Sequence, residues 1–345
     1  MPTPQALAGL VEVSDVKVLI VGGAGYIGSH AVYEMVRAGH EVVVMDNLST
    51  GSRDMVHPAA MFHPGDIRVA GDLRQVFAAE SRPDAPPFDV VLHFAAKLVV
   101  PESMTQPLEY YHNNVEGVRL MLAAMVDHGV TNVVFSSTAA VYGSPEGDGV
   151  CNELTPTNPI NPYGASKLAA ENLIRWVCEA HGMNYCIFRY FNVAGADSTL
   201  EIGLLKDNLT HLIPVALQAA LGLRDSMTVM GSDYDTPDGT CIRDYIHVTD
   251  LAKAHVLGAQ YLVDERSSLL ANLGSGTGFS VTEVLVEAES QIHVPHTYGG
   301  RRPGDPAKLI ASTEVAESVL GWVPQLTLRD MISSDLAFRR KSNSQ

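Results

Sequence analysis

Tyr163 and Lys167 stand four residues apart in the stretch NPYGASK, 161–167. A phenol has an ordinary pKa of about 10 and is a poor base at neutral pH. An ammonium one helical turn away shares its face and favours the phenolate. The pair is a candidate acid–base couple if a helix carries it. Asn161 followed by Pro162 predicts that helix, with an amide N-cap and a proline at the first helical position. An isolated YxxxK is far more often an amphipathic surface turn, so its place in the chain decides its meaning.

Upstream, FSSTAAVYG reads as the end of a fifth strand that delivers Ser136, Ser137 and Thr138 to a sheet edge. The Thr138 hydroxyl can orient a substrate oxygen beside the tyrosine. Earlier still, GGAGYIGSH places Gly22, Gly25 and Gly28 between a strand and a helix. The first glycine allows the tight turn, the second a close approach of backbone N–H groups to a pyrophosphate, and the third close helix–strand packing. Tyr26 and Ile27 then open the helix at whose N-terminus the pyrophosphate would sit. The next strand ends in MDN, where Asp46 can accept hydrogen bonds from an adenosine ribose and would repel a 2′-phosphate, so NAD is favoured over NADP. Asn47 follows it. Two more strand ends fit the same crevice: GDI, with Asp66 and Ile67 on the adenine side, and HFAA, with Phe94, Ala95 and Ala96 closing on the cofactor.

The elements that must hold these residues are written as alternation. VKVLIV, EVVVMD, FDVVLHF, NVVFSS and NYCIFRYFN are separated by segments of helical length, which predicts parallel strands with crossover helices, an α/β doubly wound (Rossmann) sheet. Beyond Asn192 the rhythm breaks into connections such as GSDYDTPDGTCIRD and GGRRPGDPAK, then returns at DYIHVTDLAKAHVLGAQYL and ANLGSG. We expect a dinucleotide-binding domain over 15–192, rejoined by 240–275. A smaller interleaved C-terminal α/β substrate domain is expected over 193–239 and 276–335, and an N-terminal extension over 1–14.

At 345 residues, 46% of them hydrophobic, the chain can bury substantial cores. A net charge of −16 argues against nucleic acid and anionic membrane as partners, so an anionic ligand must meet a local cationic pocket. Four cysteines, Cys151, Cys178, Cys186 and Cys241, lack CxxC spacing and suggest free thiols in a reducing cytosol. HVPH, with His293 and His296, has no evident third ligand, and no metal is expected. No apolar run approaches membrane-spanning length, and the first residues lack a basic signal-type segment, so a cytoplasmic protein is expected.

Taken together, GGAGYIGSH, MDNLSTG, SSTAAVYG, NPYGASK, RYFNVAGA, GTCIRDYIHV and RRPGDP resemble the extended short-chain dehydrogenase/reductases, and the full set is similar to the UDP-glucose 4-epimerases among them. The likeness runs from Lys17 to Pro324. It implies NAD-dependent epimerisation at C4 of a UDP-hexose through a 4-keto sugar, in a homodimer. It makes Tyr163 the base, Lys167 a ligand of the nicotinamide ribose, and Thr138 the contact to the reacting hydroxyl. Asn113, Tyr190 and Phe191 match cofactor-side positions. Arg243 and Arg302 match diphosphate contacts, Asp305 a uridine ribose contact, and Asn192 a phosphate or sugar contact.

This chain departs from relatives in three places. Lys97 and Leu98 reverse the order found in some of them, leaving a lysine contact to the cofactor unassigned. His211 stands where some place a substrate-binding Asn. Leu309 stands where some have a bulky Tyr, which implies activity on UDP-GlcNAc as well. A nucleotide-sugar dehydratase would need an acid–base pair after Thr138, where Ala139 and Ala140 stand. A decarboxylase is not separated by that test. A redox-sensing NAD-binding regulator would need neither Tyr163 nor Lys167.

Overall fold

The computed structural model describes residues 16–204, 210–302 and 305–343; the N-terminal extension expected over 1–14 lies outside them. The chain opens with β1 (Lys17–Val21), α1 (Tyr26–Arg37), β2 (Glu41–Asp46), β3 (Met61–Pro64) and α2 (Ala70–Ala79). It continues through β4 (Val90–His93), α3 (Val100–Thr105), α4 (Pro107–Tyr111), α5 (Gly117–Asp127) and β5 (Asn132–Thr138). The short β6 (Val150–Cys151) precedes α6 (Pro162–His181) and β7 (Asn184–Tyr190).

Seven parallel strands form the main sheet in the order β12-β7-β5-β4-β1-β2-β3, where β12 is Leu269–Leu273. From β1 the chain builds outward through β2 and β3 on one side, then through β4, β5, β7 and β12 on the other. The order therefore reverses between β1 and β4, which opens a crevice at their C-terminal ends. Register brings Val21 level with Met45 and with His93, so the glycine turn, Asp46 and Phe94 leave the sheet side by side. Thr138 is likewise level with Tyr190.

The sheet is apolar on both faces, as parallel strands between helices require. Val18 and Ile20 point to one side with Val44, Leu92 and Phe188, while Leu19 and Val21 point to the other with Val43, Val91 and Phe135. Helix α1 and α8 (Val248–Glu265) cover the first side; α2, α5 and α6 cover the second. Each fully buried side chain of this size stabilises the fold by roughly 1.5–3 kcal/mol.

After β7 come β8 (Asn192–Ala194), α7 (Leu212–Ala220), β9 (Met227–Met230), β10 (Ile242–Arg243) and β11 (Tyr245–His247), then α8 and β12. The rest is β13 (Phe279–Ser280), α9 (Val281–Glu289), β14 (His296–Gly299), β15 (Lys308–Ala311), α10 (Glu314–Leu320) and α11 (Leu328–Ser342). A small mixed sheet, β13-β10-β15-β6, joins strands from both halves of the sequence. Two parallel pairs, β8 with β11 and β9 with β14, flank a further apolar core around Leu217, Tyr245, Val284 and Ile332. The architecture is α/β and doubly wound, with a smaller interleaved α/β part. Among the described residues no helix is long and apolar enough to cross a membrane.

Candidate active site

The helix that carries the tyrosine and lysine starts as its residues dictate. Asn161 caps α6, its side-chain oxygen accepting the Gly164 N–H at 2.8 Å, and Pro162 opens the first turn. Gly164 lets the helix come against the turn after β5: a Cβ there would lie 2.6 Å from the Ala140 carbonyl oxygen. Thr138 ends β5 and accepts the Ala140 N–H at 3.1 Å, which fixes its rotamer, and its side chain is hydrogen-bonded to Tyr163. Tyr110 of α4 meets the Tyr163 ring edge-on at 6.4 Å.

Burial pushes the Tyr163 phenol above its usual range, and the hydrogen bond from Thr138 only opposes that shift. Lys167, 2% exposed, has its ammonium 4.1 Å from the Phe135 ring centroid. Burial pushes it down to about 7, against the pull of Glu171. Both groups sit in a low-dielectric pocket, and desolvation of their charged forms outweighs the helical pairing.

The glycine turn is shaped by close backbone approach. Gly22 has φ 84° and would carry a Cβ 2.5 Å from the Ala95 nitrogen; one on Gly28 would lie 2.1 Å from the Gly22 oxygen. At Gly25 the nearest protein atom to such a Cβ is the Gly22 oxygen at 3.4 Å, so the space above it is open. Helix α1 starts there with no side-chain cap and no acidic residue in its first turn. Its N-terminal N–H groups and positive dipole end are available to an anion, so the cradle fits a dinucleotide pyrophosphate.

Asp46 faces this turn, accepting the N–H groups of Ala24 at 3.0 Å and Leu48 at 2.8 Å. Asn47 donates to Asp66 at 2.9 Å, and Arg68 pairs with the same carboxylate at 2.6 Å and holds it well below the usual carboxylate range. Ile67 is buried against Gly117. Phe94 and Ala95 give their N–H groups to the Val21 carbonyl at 2.7 and 3.1 Å, and Ala96 follows them, half-buried. Ile27 packs against the core, while the Tyr26 hydroxyl donates to the Gly195 carbonyl at 2.6 Å. Asn113 lies in a π-helical turn, His112–Glu116, between α4 and α5, a kind of turn common at functional sites. It donates to Asn114, which in turn binds the Lys97 backbone and the Ser166 hydroxyl. Tyr190, beside Thr138 in register, has its phenol raised by burial and hydrogen-bonded to Ser136. The Lys97 ammonium pairs with Glu102 at 3.1 Å and lies 5.8 Å from the centroid of the Tyr110 ring.

On the other side of the crevice, β10 and β15 set Arg243 level with Leu309. A guanidinium nitrogen of Arg243 approaches Asp305 to 3.8 Å. Arg302 is exposed, and its carbonyl accepts the Asp305 N–H at 3.3 Å. Leu309 packs on the cluster of Ala139, Tyr142 and Phe191, so this sheet abuts the turn that follows Thr138. Asn192 donates to the Asp244 carbonyl at 2.9 Å and lines a small cavity together with His211 and Tyr245. The structure thus gathers Arg243, Asp305 and Leu309 in one place, and Asn192 and His211 in another. A surface groove of about 420 Å³ between α9 and α11 contains none of these residues.

Sequence reasoning missed Tyr110, Asn114, His93 and Glu171. Of these Glu171 carries a signal, since it extends the four-residue spacing of Tyr163 and Lys167 by one more turn. His293 and His296 both face Glu289, at 4.0 and 3.8 Å. Among the described residues there is no group of three or more His, Cys, Asp or Glu able to hold a metal.

Comparison with known proteins gives the site its context. Residues 18–274 match the NAD dependent epimerase/dehydratase family. UDP-glucose 4-epimerase of Azospirillum brasilense is 48% identical over 327 residues, which cover 94% of this chain and 92% of that one. The crystal structure of UDP-glucose 4-epimerase from Brucella ovis in complex with NAD is 42% identical, with a TM-score of 0.89 over 93% of this chain and 98% of that chain. The Bifidobacterium longum UDP-glucose 4-epimerase, solved with NAD+ and UDP, is 36% identical, with a TM-score of 0.87 and coverage of 95% and 99%.

Proposed function

The chain belongs to the NAD dependent epimerase/dehydratase family, and from that premise we propose that it epimerises UDP-hexoses at C4, converting UDP-galactose to UDP-glucose with NAD as cofactor. The observation that carries this reading is the hydrogen-bonded pair of Thr138 and Tyr163 above Lys167, at the edge of the crevice that the glycine turn opens.

Bound NAD would supply the redox chemistry, as reversible hydride acceptor for C4 of the sugar, and its positive charge would add to that of Lys167 in drawing the buried phenol toward ionisation. Gly22, Gly25 and Gly28 and the start of α1, with Tyr26 and Ile27, seat the pyrophosphate. Asp46 and Asn47 hold the adenosine ribose, Asp66 and Ile67 flank the adenine, and Phe94, Ala95, Ala96, Asn113 and Tyr190 line the nicotinamide side. Thr138 orients the sugar 4-hydroxyl; Tyr163 takes its proton and gives it back after the sugar has turned. Lys167 binds the nicotinamide ribose. Arg243 and Arg302 grip the diphosphate, Asp305 the uridine ribose, and Asn192 and His211 the phosphate or sugar oxygens. A firmly held UDP and a loosely held hexose are what the reaction needs. Ala139 and Ala140 provide no acid–base pair beside Thr138 for a dehydration.

Residues 15–192 with 240–275 form the dinucleotide-binding unit in this reading, and 193–239 with 276–335 the UDP-sugar unit. Leu309, smaller than a tyrosine, leaves room for UDP-GlcNAc. A homodimer through α5 and α6 would cover Trp176, which is 69% exposed on α6. A cytoplasmic location accords with the four unpaired, buried cysteines. The test is incubation of the purified protein with UDP-galactose, followed by chromatography for UDP-glucose. Tyr163→Phe lowers turnover by about 10²–10⁴ with NAD still bound. Failure of the wild-type protein to form UDP-glucose refutes the reading.

A further inference from the structure

Tyr163, Lys167 and Glu171 succeed one another at four-residue intervals along α6, so one face carries a phenol, an ammonium and a carboxylate in line. Glu171 is fully buried. Its oxygens accept from the Ser137 hydroxyl at 2.5 Å, from Arg189 at 2.9 and 2.7 Å in a two-pronged pair, and from Arg175 at 2.9 Å. Arg189 also donates to the Tyr142 hydroxyl at 3.2 Å, and Tyr142 donates to Asn272 of β12 at 2.7 Å. The carboxylate is thus fixed from β5, β7 and α6 at once.

A buried ion pair is a weak way to stabilise a helix, because packed hydrocarbon serves at least as well. What hydrocarbon cannot do is face an ammonium with negative charge. The groups facing Lys167 are Tyr163 and Glu171 on its own helix, the Phe135 ring on β5 and His93 on β4. His93 has no hydrogen-bond partner for either ring nitrogen, and burial pushes it down to about 3, so it is neutral and offers no counter-charge. Arg189 and Arg175 are cations that reach the lysine's surroundings through Glu171.

We propose that Glu171 is a positioning residue that keeps the Lys167 ammonium charged and in place beneath Tyr163, and that Ser137, Arg189 and Arg175 hold the carboxylate where it does so. This deepens the role given to Lys167 above and rests on that reading for its catalytic meaning. Without the carboxylate, the lysine is neutral over more of the working pH range. The phenol then loses its cationic neighbour, and the acid limb of kcat/KM moves to higher pH.

The experiment follows Lys167 directly, by NMR titration of protein carrying 13C-labelled lysine, with the resonance assigned by Lys167→Arg. Glu171→Gln keeps the shape and removes the charge; Glu171→Asp keeps the charge and alters the shape. We expect the Lys167 midpoint to fall by about one unit or more in Glu171→Gln and to recover most of that in Glu171→Asp, with kcat/KM at pH 7 following the same order. A structural role alone predicts the reverse order, with Asp the worse. If Glu171→Gln does not fold, the paired change Glu171→Met with Arg189→Met removes both buried charges together and lowers the midpoint in the same direction. A midpoint within about 0.3 units of wild type in the charge-removing variant, or Asp worse than Gln, overturns the proposal. Absence of wild-type turnover alongside the expected shifts sinks the epimerase reading and leaves the electrostatic one standing.

Discussion

Gly25 and Gly28 sit one helical turn apart, yet alanine at each should fail differently. At Gly28 the new methyl would lie 2.1 Å from the Gly22 oxygen and 2.9 Å from its carbon, both backbone atoms. Relief requires the strand–helix turn to open by about 1 Å, and overpacking of this kind costs about 1–3 kcal/mol. Alanine's better helix propensity returns at most about 1 kcal/mol. At Gly25 the closest atom is 3.4 Å away, and the backbone, with φ −80° and ψ 175°, is one that alanine adopts freely. Gly25→Ala should therefore fold with unchanged or slightly raised stability, since it loses less chain entropy on folding. Its methyl nevertheless projects into the space above the helix start where the pyrophosphate belongs. A loss of tenfold to a hundredfold in NAD affinity, about 1.4–2.8 kcal/mol, follows. Denaturant melts read the stability, and calorimetric titration of NAD-stripped protein reads the affinity. Wild-type NAD affinity in a well-folded Gly25→Ala protein would refute the seating of the pyrophosphate, and an unperturbed melt for Gly28→Ala would refute the packing argument.

Other consequences are equally open to measurement. His30, His93, His247 and His255 are all buried, and burial pushes them down to about 4, 3, 4 and 4. Their folded values lie below the unfolded one, so the stability they permit is complete above about pH 6.5 and is lost as pH falls toward 4. Between pH 7.5 and 5.5 each costs about 1.4 kcal/mol, together about 5 kcal/mol, which urea melts at the two pH values would show; equal stability at both contradicts the burial of neutral imidazoles. Leu309→Tyr should abolish conversion of UDP-GlcNAc and leave UDP-galactose turnover within a few-fold, as read by chromatography of each product. In light scattering at micromolar concentration the wild-type protein should have the mass of the proposed homodimer and Trp176→Glu that of a monomer; a monomeric wild type would refute the dimer, and an unchanged dimer mass in the variant would place its interface elsewhere.

The parts of this molecule that local rules govern were legible in the sequence. Asn161 and Pro162 start α6 as their side chains require, and the apolar runs mark β1, β2, β4, β5 and β7 because each is buried on both faces. MFHP did not read as a strand, being four residues at the sheet's edge with a proline at its end. After Asn192 the strands are two to five residues long, too short for any period to show. Spacing put Lys167 on the tyrosine's face but could not say how deeply both lie, and depth decides their proton affinities. The Tyr142–Asn272 bond spans 130 residues, and nothing in either neighbourhood announces the other.

The edge strand Leu269–Leu273 pairs with Asn184–Tyr190, and the ribosome delivers it last of the seven. Translation proceeds at about 5–20 residues per second, so for several seconds the nascent chain exposes a row of unpaired amides along Cys186–Tyr190. An exposed apolar strand edge is a template for intermolecular pairing. Premature termination anywhere before Leu269 would therefore yield an aggregating polypeptide rather than a smaller working module, and chaperone demand during synthesis should peak in that interval.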